Sequence, residues 1–153
     1  MLELKEIGKS FDGVPVLKDI SIRVEDGEIV SILGPSGCGK TTLLNIILGI
    51  LDADAGQILY NGEDLTRTPM EKRGFNIVFQ DYVLFPNLNV RQNITYGLRN
   101  KPGISTEAEV QDMISLLGLG DHLNKRIDQL SGGQKQRVAL ARTLVMKPRI
   151  LLL

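Results

Sequence analysis

Leu2 and Leu4, and then Ile20, Ile22 and Val24, alternate with polar residues, the period-2 pattern of half-buried strands. Glu25-Asp26-Gly27 ahead of Glu28 reads as a tight turn, so the N-terminal part is expected to be antiparallel. Ile29-Val30-Ser31-Ile32-Leu33 follows as a near-continuous apolar run, which predicts a central strand buried on both faces. Glycines come next. Over 40–50, Leu43, Leu44, Ile46, Ile47 and Ile50 then fit a helix with a broad buried face, giving strand, Gly-rich loop and helix in order. Segments 57–60 and 76–79 are two further short strand candidates.

From 89 to 118 helical signals replace strand signals. Asn89 with Gln92 predicts a capped helix running to about Leu98, and Thr106 with Glu109 opens another. In the second, Val110, Met113, Ile114 and Leu117 follow the i, i+3, i+4, i+7 spacing, and Gly118 supplies a left-handed stop. Pro102-Gly103 separates the two. A third helix starts at Ser131, with Gln134 as reciprocal cap, and ends before Pro148. The stretch 149–153 reads as a second buried strand.

With 153 residues, 42% hydrophobic and 24% charged, the chain has the composition of one globular domain. Lys+Arg and Asp+Glu stand at 18 each, so no basic excess points to nucleic acid or to an anionic membrane, and any phosphate recognition must be local. The single cysteine, Cys38, excludes an intramolecular disulfide, and the N-terminus lacks the apolar core of a signal peptide, which together predict a reducing, cytoplasmic setting. The apolar stretch 43–51, interrupted by Asn45 and Gly49, is too short to span a bilayer. Work at a membrane would leave the crossing to another chain.

Gly34-Pro35-Ser36-Gly37-Cys38-Gly39-Lys40-Thr41 matches the phosphate-binding pattern G-x-x-x-x-G-K-[ST], in the strand–loop–helix context that its mechanism needs. Glycines let successive N–H groups point inward, and the helix N-terminus adds partial positive charge. Lys40 can reach the β- and γ-phosphates, and the Thr41 hydroxyl can ligate Mg²⁺. Cys38 sits where the positive end of the helix favours a reactive thiol, the alternative being an inert buried one. Leu130-Ser131-Gly132-Gly133-Gln134, followed by Lys135-Gln136-Arg137-Val138-Ala139-Leu140-Ala141-Arg142, is a second unusual run. Ser131 caps a helix there, and two glycines leave its first N–H groups uncovered, so a second anion site is presented.

Together these two runs resemble the ABC ATPase family, whose signature is LSGGQ. The resemblance covers the whole chain. It implies an α/β fold with a phosphate-loop, RecA-like core, an N-terminal antiparallel β-subdomain and a helical signature subdomain, with the chain ending just after the Walker B strand. Within one incomplete ATPase domain, 1–80 and 148–153 would form the ATP-binding core and 81–147 the helical part. ATP would lie against Phe11, Val16, Gly34, Pro35, Ser36, Gly37, Cys38, Gly39, Lys40, Thr41 and Thr42. Phe11 would be the aromatic that stacks on adenine, with core packing as its rival reading. Lys40 and Gln80 would be the catalytic groups, Thr41 and Gln80 the Mg²⁺ contacts, and Gln80 the link to a membrane subunit. Ser131, Gly132, Gly133 and Gln134 would face the ATP of a second ATPase subunit in a head-to-tail dimer.

The stretch 79–94 further resembles the ATPases of importers for maltose, polyamines, ferric iron, thiamine or phosphonates. That implies a groove at Tyr82, Val83, Leu84 and Phe85 for a coupling helix of a permease, where a buried hydrophobic loop is the alternative. A solute-binding protein would take part indirectly, and no nucleic acid is expected. The setting would be the inner face of the cell membrane, as a peripheral subunit. Rival readings are a soluble ABC ATPase of DNA repair or translation, and an exporter ATPase domain. In the family, an aspartate and a general-base glutamate follow the strand at 149–153, and a switch histidine follows later. Without them the residues up to Leu153 would hold nucleotide but not turn it over. His122, the sole histidine, reads instead as a solvated loop or helix-end residue.

Overall fold

The alternation at Leu2 and Leu4 becomes strand β1 (Leu2–Phe11) in a computed structural model that describes residues 1–79 and 81–153. These residues divide into two units, Met1–Gly74 and Phe75–Leu153.

In the first unit β1 pairs antiparallel with β2 (Val14–Val24) on one side and β3 (Ala55–Tyr60) on the other, and β4 (Glu63–Asp64) extends the sheet in the order β2-β1-β3-β4. The register Leu2↔Val24 and Leu4↔Ile22 realises the expected hairpin, and the Glu28 N–H donates to the Glu25 carbonyl at 3.2 Å in the expected turn. Period-2 burial holds for Leu2 and Leu4 and then resumes out of step at Ile7, because the pairing is irregular between Leu4 and Ile7 and Glu6 lies at φ 53°. Gly56, at φ 90°, backs this irregularity. A Cβ there would come within 2.4 Å of the Lys5 carbonyl oxygen, so no larger residue fits. Helix α1 (Lys40–Leu48) buries Leu43, Ile46 and Ile47 as their spacing predicts, together with Leu48, whereas Leu44 is half-buried and Ile50 is exposed beyond the helix, which Gly49 ends at φ 82°.

The apolar run 29–33 departs from expectation. It forms no strand, and Ile29 and Leu33 are 94% and 90% exposed. A parallel strand buried on both faces exists only through neighbours on each side. Among the described residues none pairs with this run, so its hydrophobic pattern alone does not make it a strand.

In the second unit β5 (Phe75–Ile77) and β6 (Ile150–Leu152) form a parallel pair, Phe75 opposite Ile150. The strand expected at 149–153 therefore exists, although it is only half-buried. The helices carry the core: Val90 and Ile94 of α3 (Val90–Thr95), Val110 and Ile114 of α4 (Glu107–Leu116), and Val138, Ala141 and Val145 in and after α5 (Gly132–Leu144) join Leu119, Ile127 and Leu130. Met113 and Leu117 pack at its margin. All three expected capping boxes form, at Asn89/Gln92, Thr106/Glu109 and Ser131/Gln134. The first helix is shorter than its pattern, passing into a 3₁₀ turn at Gly97–Arg99. Lys147 and Thr106 hydrogen-bond Glu109 and hold its carboxylate below the usual range.

A four-residue helix, α2 (Met70–Arg73), closes the first unit and delivers a buried cation. Arg73 is 2% exposed, and among the described residues its hydrogen-bond partners are backbone carbonyls. Its Nη1 donates to the Ile46 and Ile47 carbonyls at 2.8 Å each, Nε to the Thr68 carbonyl at 2.7 Å and Nη2 to the Thr66 carbonyl at 3.2 Å. Ile46 and Ile47 belong to the last turn of α1, where the helix dipole favours a cation; the Ile46 carbonyl also accepts from the Gly49 N–H at 3.1 Å. Burial lowers the affinity of this guanidinium for its proton, and Asp52 partly offsets that.

Candidate functional site

The loop between 34 and 40 reaches α1 through Gly39, which stands at φ 92° as the helix N-cap and has no side chain with which to cap. The amides of Lys40, Thr41 and Thr42 are thus left without a side-chain cap at the positive end of the helix, an arrangement suited to an anion. Two contacts hold the loop in place. A Cβ on Gly39 would lie 2.9 Å from Leu17 Cδ2 and 3.1 Å from Val16 Cγ1, so Val16 and the loop are packed as closely as a glycine permits. A Cβ on Gly34 would lie 2.6 Å from Cys38 Sγ.

Lys40 folds over the loop. Its Nζ donates to the Gly34 and Pro35 carbonyls at 2.7 Å each and lies 3.5 Å from Cys38 Sγ. The Lys40 ammonium and the uncapped first-turn amides thus lie at one end of α1, with the exposed Thr41 in the same turn. These groups fit a polyphosphate and its magnesium ion: amides and ammonium donate, and a hydroxyl can ligate a hard cation. Cys38 is exposed, which removes the inert buried alternative. Phe11 ends β1 with 44% exposure and Lys9 Nζ 5.6 Å from its ring centroid, so core packing does not account for it. Gln80 lies outside the described residues.

In the second unit the signature run opens α5. Ser131 Oγ accepts from the Gln134 N–H at 3.3 Å, and Gln134 Oε1 accepts from the Ser131 N–H at 2.8 Å. A Cβ on Gly132 or Gly133 would meet nothing within 4 Å, so nothing inside the chain calls for glycine at either position. Their smallness leaves the helix N-terminus open to whatever docks there.

The four residues at 82–85 do not act alike. Val83 and Phe85 line a cavity of 310 Å³ together with Ile77, Phe79, Tyr96, Gly97, Arg142 and Met146, whereas Leu84 packs on the helical core. Tyr82 and Val83 have φ of 62° and 40°, a conformation that a β-branched residue rarely adopts unless its surroundings hold it there. Two residues do so that sequence reasoning passed over. Arg142 donates Nη1 to the Val83 carbonyl at 2.8 Å and Nη2 to the Tyr82 carbonyl at 3.1 Å, with its guanidinium 5.4 Å from the centre of the Phe85 ring. Buried Asn93 accepts from the Phe85 N–H at 2.9 Å and donates to the Phe85, Leu88 and Asn89 carbonyls. Asn93 had a legible signal, an amide three residues after Val90 on the inward face of a helix. Arg142 had none beyond its place near the end of α5. His122 is half-buried rather than solvated, closing a 3₁₀ turn at Gly120–His122 with its ring against Gln134.

Comparison with known proteins agrees with this construction. The family model described as ABC transporter matches residues 17–153. The spermidine/putrescine import ATP-binding protein PotA of Spiroplasma citri is 52% identical over 156 residues, covering 100% of this chain and 44% of that protein. The protein of the same name from Fusobacterium nucleatum is 46% identical over 99% of the chain and 41% of its own length. The chain thus spans less than half the length of these relatives. Among solved structures, cbiO1 from Clostridium perfringens, part of the ABC transporter complex cbiONQ, superposes with a TM-score of 0.87 at 34% identity, over 98% of this chain and 63% of that one. The ATP-binding cassette MJ0796, a dimer in a post-hydrolysis state bound to ADP and Pi, gives 0.82 at 32%, over 99% and 72%. With a phosphate loop, a signature helix and a family match across most of its length, the chain belongs to the ABC transporter family, on that family's α/β ATP-binding fold.

Proposed function

We propose that this chain is the nucleotide-holding part of the ATPase subunit of an importer, working on the inner face of the cell membrane, with a polyamine as the transported solute. The observation that carries the reading is the uncapped N-terminus of α1 at Gly39, with Lys40 folded over the loop that precedes it. Lys40 and the amides would bind the β- and γ-phosphates of ATP, Thr41 with Gln80 would hold Mg²⁺, and Val16 and Phe11 would flank the adenosine. The open glycines 132 and 133 support docking of 131–134 onto nucleotide held by a second ATPase subunit. The apolar cavity at Val83 and Phe85 supports a permease helix as its occupant, since exposed apolar surface on a soluble chain generally meets a partner. The relatives named for spermidine and putrescine import support a polyamine as the solute. The ATP-binding part would comprise 1–80 with 148–153, and the helical part 81–147.

The test is hydrolysis of ATP by the full-length protein with its permease and solute-binding protein, with and without spermidine. Stimulation by spermidine is expected. Hydrolysis indifferent to every polyamine would remove the solute assignment, and no binding of Mg·ATP at all would remove the function.

Two side chains give finer checks. Phe11→Ala should weaken ATP by about 1 kcal/mol or more through lost stacking on the base while leaving inorganic triphosphate nearly unaffected. Equal losses for both ligands would show that Phe11 serves the fold instead. Cys38, exposed and 3.5 Å from Lys40 Nζ, should be alkylated by iodoacetamide and shielded several-fold by saturating Mg·ATP. Equal rates with and without nucleotide would place the phosphates elsewhere.

A further inference from the structure

The signature loop is gripped from outside by a histidine. Gln134 has its oxygen committed, because Oε1 accepts from the Ser131 N–H at 2.8 Å as half of the capping box. Its Nε2 therefore faces His122 Nε2, at 3.0 Å. Turning the amide over would set NH₂ against the Ser131 N–H, donor against donor. His122 thus accepts at Nε2, and the proton of the neutral ring sits on Nδ1, which is buried and has no hydrogen-bond partner. An orphaned buried N–H in a folded protein calls for an explanation. Here it is what allows the other nitrogen to face the signature glutamine as an acceptor.

Among the described residues no other side chain is hydrogen-bonded to the ring. Asp121 and Lys125 flank the ring on its own stretch, and neither is hydrogen-bonded to it. On α5, Lys135 and Arg137 lie beside Gln134. Arg126 is paired with Asp128, and Arg91, whose backbone N–H meets the Leu123 carbonyl, is paired with Glu107.

We propose that His122 is a positioning residue for the signature loop: its Nε2 accepts from the Gln134 amide and locks that amide into the capping geometry of 131–134. This rests on the reading that 131–134 contacts nucleotide held by a second subunit. The consequence is that turnover depends on an acceptor at position 122, while nucleotide affinity does not.

The experiment measures hydrolysis of saturating Mg·ATP by the full-length protein with its permease, in wild type, H122L and H122Q. H122L should lose turnover about fivefold with little change in KM. H122Q offers an oxygen acceptor to the same amide, so it should restore turnover to within about twofold of wild type. Equal turnover in all three, or a loss in H122Q as large as in H122L, overturns the proposal. A second measurement is independent of turnover: nitrogen-15 NMR of labelled histidine in the full-length protein, with His122 identified by its disappearance in H122Q, should show the Nδ1–H tautomer near neutral pH. An Nε2–H tautomer overturns the contact itself. Complete absence of hydrolysis in wild type would count against the function proposed above, and the tautomer would then decide the present inference alone.

Discussion

Replacing Lys40 by alanine is expected to weaken Mg·ATP binding by roughly tenfold to a hundredfold, the largest change that any single side chain of the phosphate loop should give. A charge-assisted hydrogen bond is worth about 1.5–3 kcal/mol, and Lys40 is the ammonium that lies over this loop, donating to the Gly34 and Pro35 carbonyls. The loop should keep its shape in the variant, because Gly39 is packed on Val16 and Leu17 independently of the lysine. Titration calorimetry with Mg·ATP and with Mg·ADP separates the possibilities. Loss for both nucleotides, larger for ATP, is expected if Lys40 serves the terminal phosphates. Unchanged affinity for both would mean that the loop at 34–42 is not where nucleotide binds.

Arg73→Ala should destabilise the fold by about 2–4 kcal/mol, a large share of the stability of an ordinary domain. Four backbone carbonyls lose a guanidinium donor, although Ile46 keeps the Gly49 N–H, and a void opens against Gly49, where a Cβ would stand only 2.7 Å from Arg73 Nε. Arg73→Lys should recover only part of the loss, since an ammonium cannot span a set of acceptors fitted to a planar guanidinium. Urea unfolding followed by circular dichroism would read this as a lower midpoint, with the order wild type, Lys, Ala. An alanine variant as stable as wild type would show that water satisfies those carbonyls and that the buried cation is dispensable. Because α1 also presents the phosphate-binding amides at its other end, weaker nucleotide binding should accompany the lost stability.

Sequence alone determined the features whose physics is complete within a few residues. The three capping boxes, each a reciprocal pair of hydrogen bonds spanning three positions, formed where Asn89, Thr106 and Ser131 place them. The phosphate loop is only partly of this kind: Gly39 at φ 92° and the reach of Lys40 back to the Gly34 and Pro35 carbonyls are local, but Val16 and Leu17 pack on Gly39 from outside the loop and the strand expected before it does not form. Tertiary structure decided whatever depends on a partner distant in the chain. The run 29–33 has the hydrophobicity of a buried strand yet is exposed, because a ladder and a covering layer come from other segments and not from the run itself. Arg73 reads as a surface charge in a polar stretch until α2 turns it back onto α1. Arg142 and Asn93 count as ordinary helix residues until they are seen holding the strained backbone at 82–85. His122 gains a role only once the 3₁₀ turn brings its ring to Gln134. A donor or an acceptor carries no mark of its partner in the sequence. Where the pairing is local the spacing reveals it, and where it is long-range only the folded chain brings the two groups together.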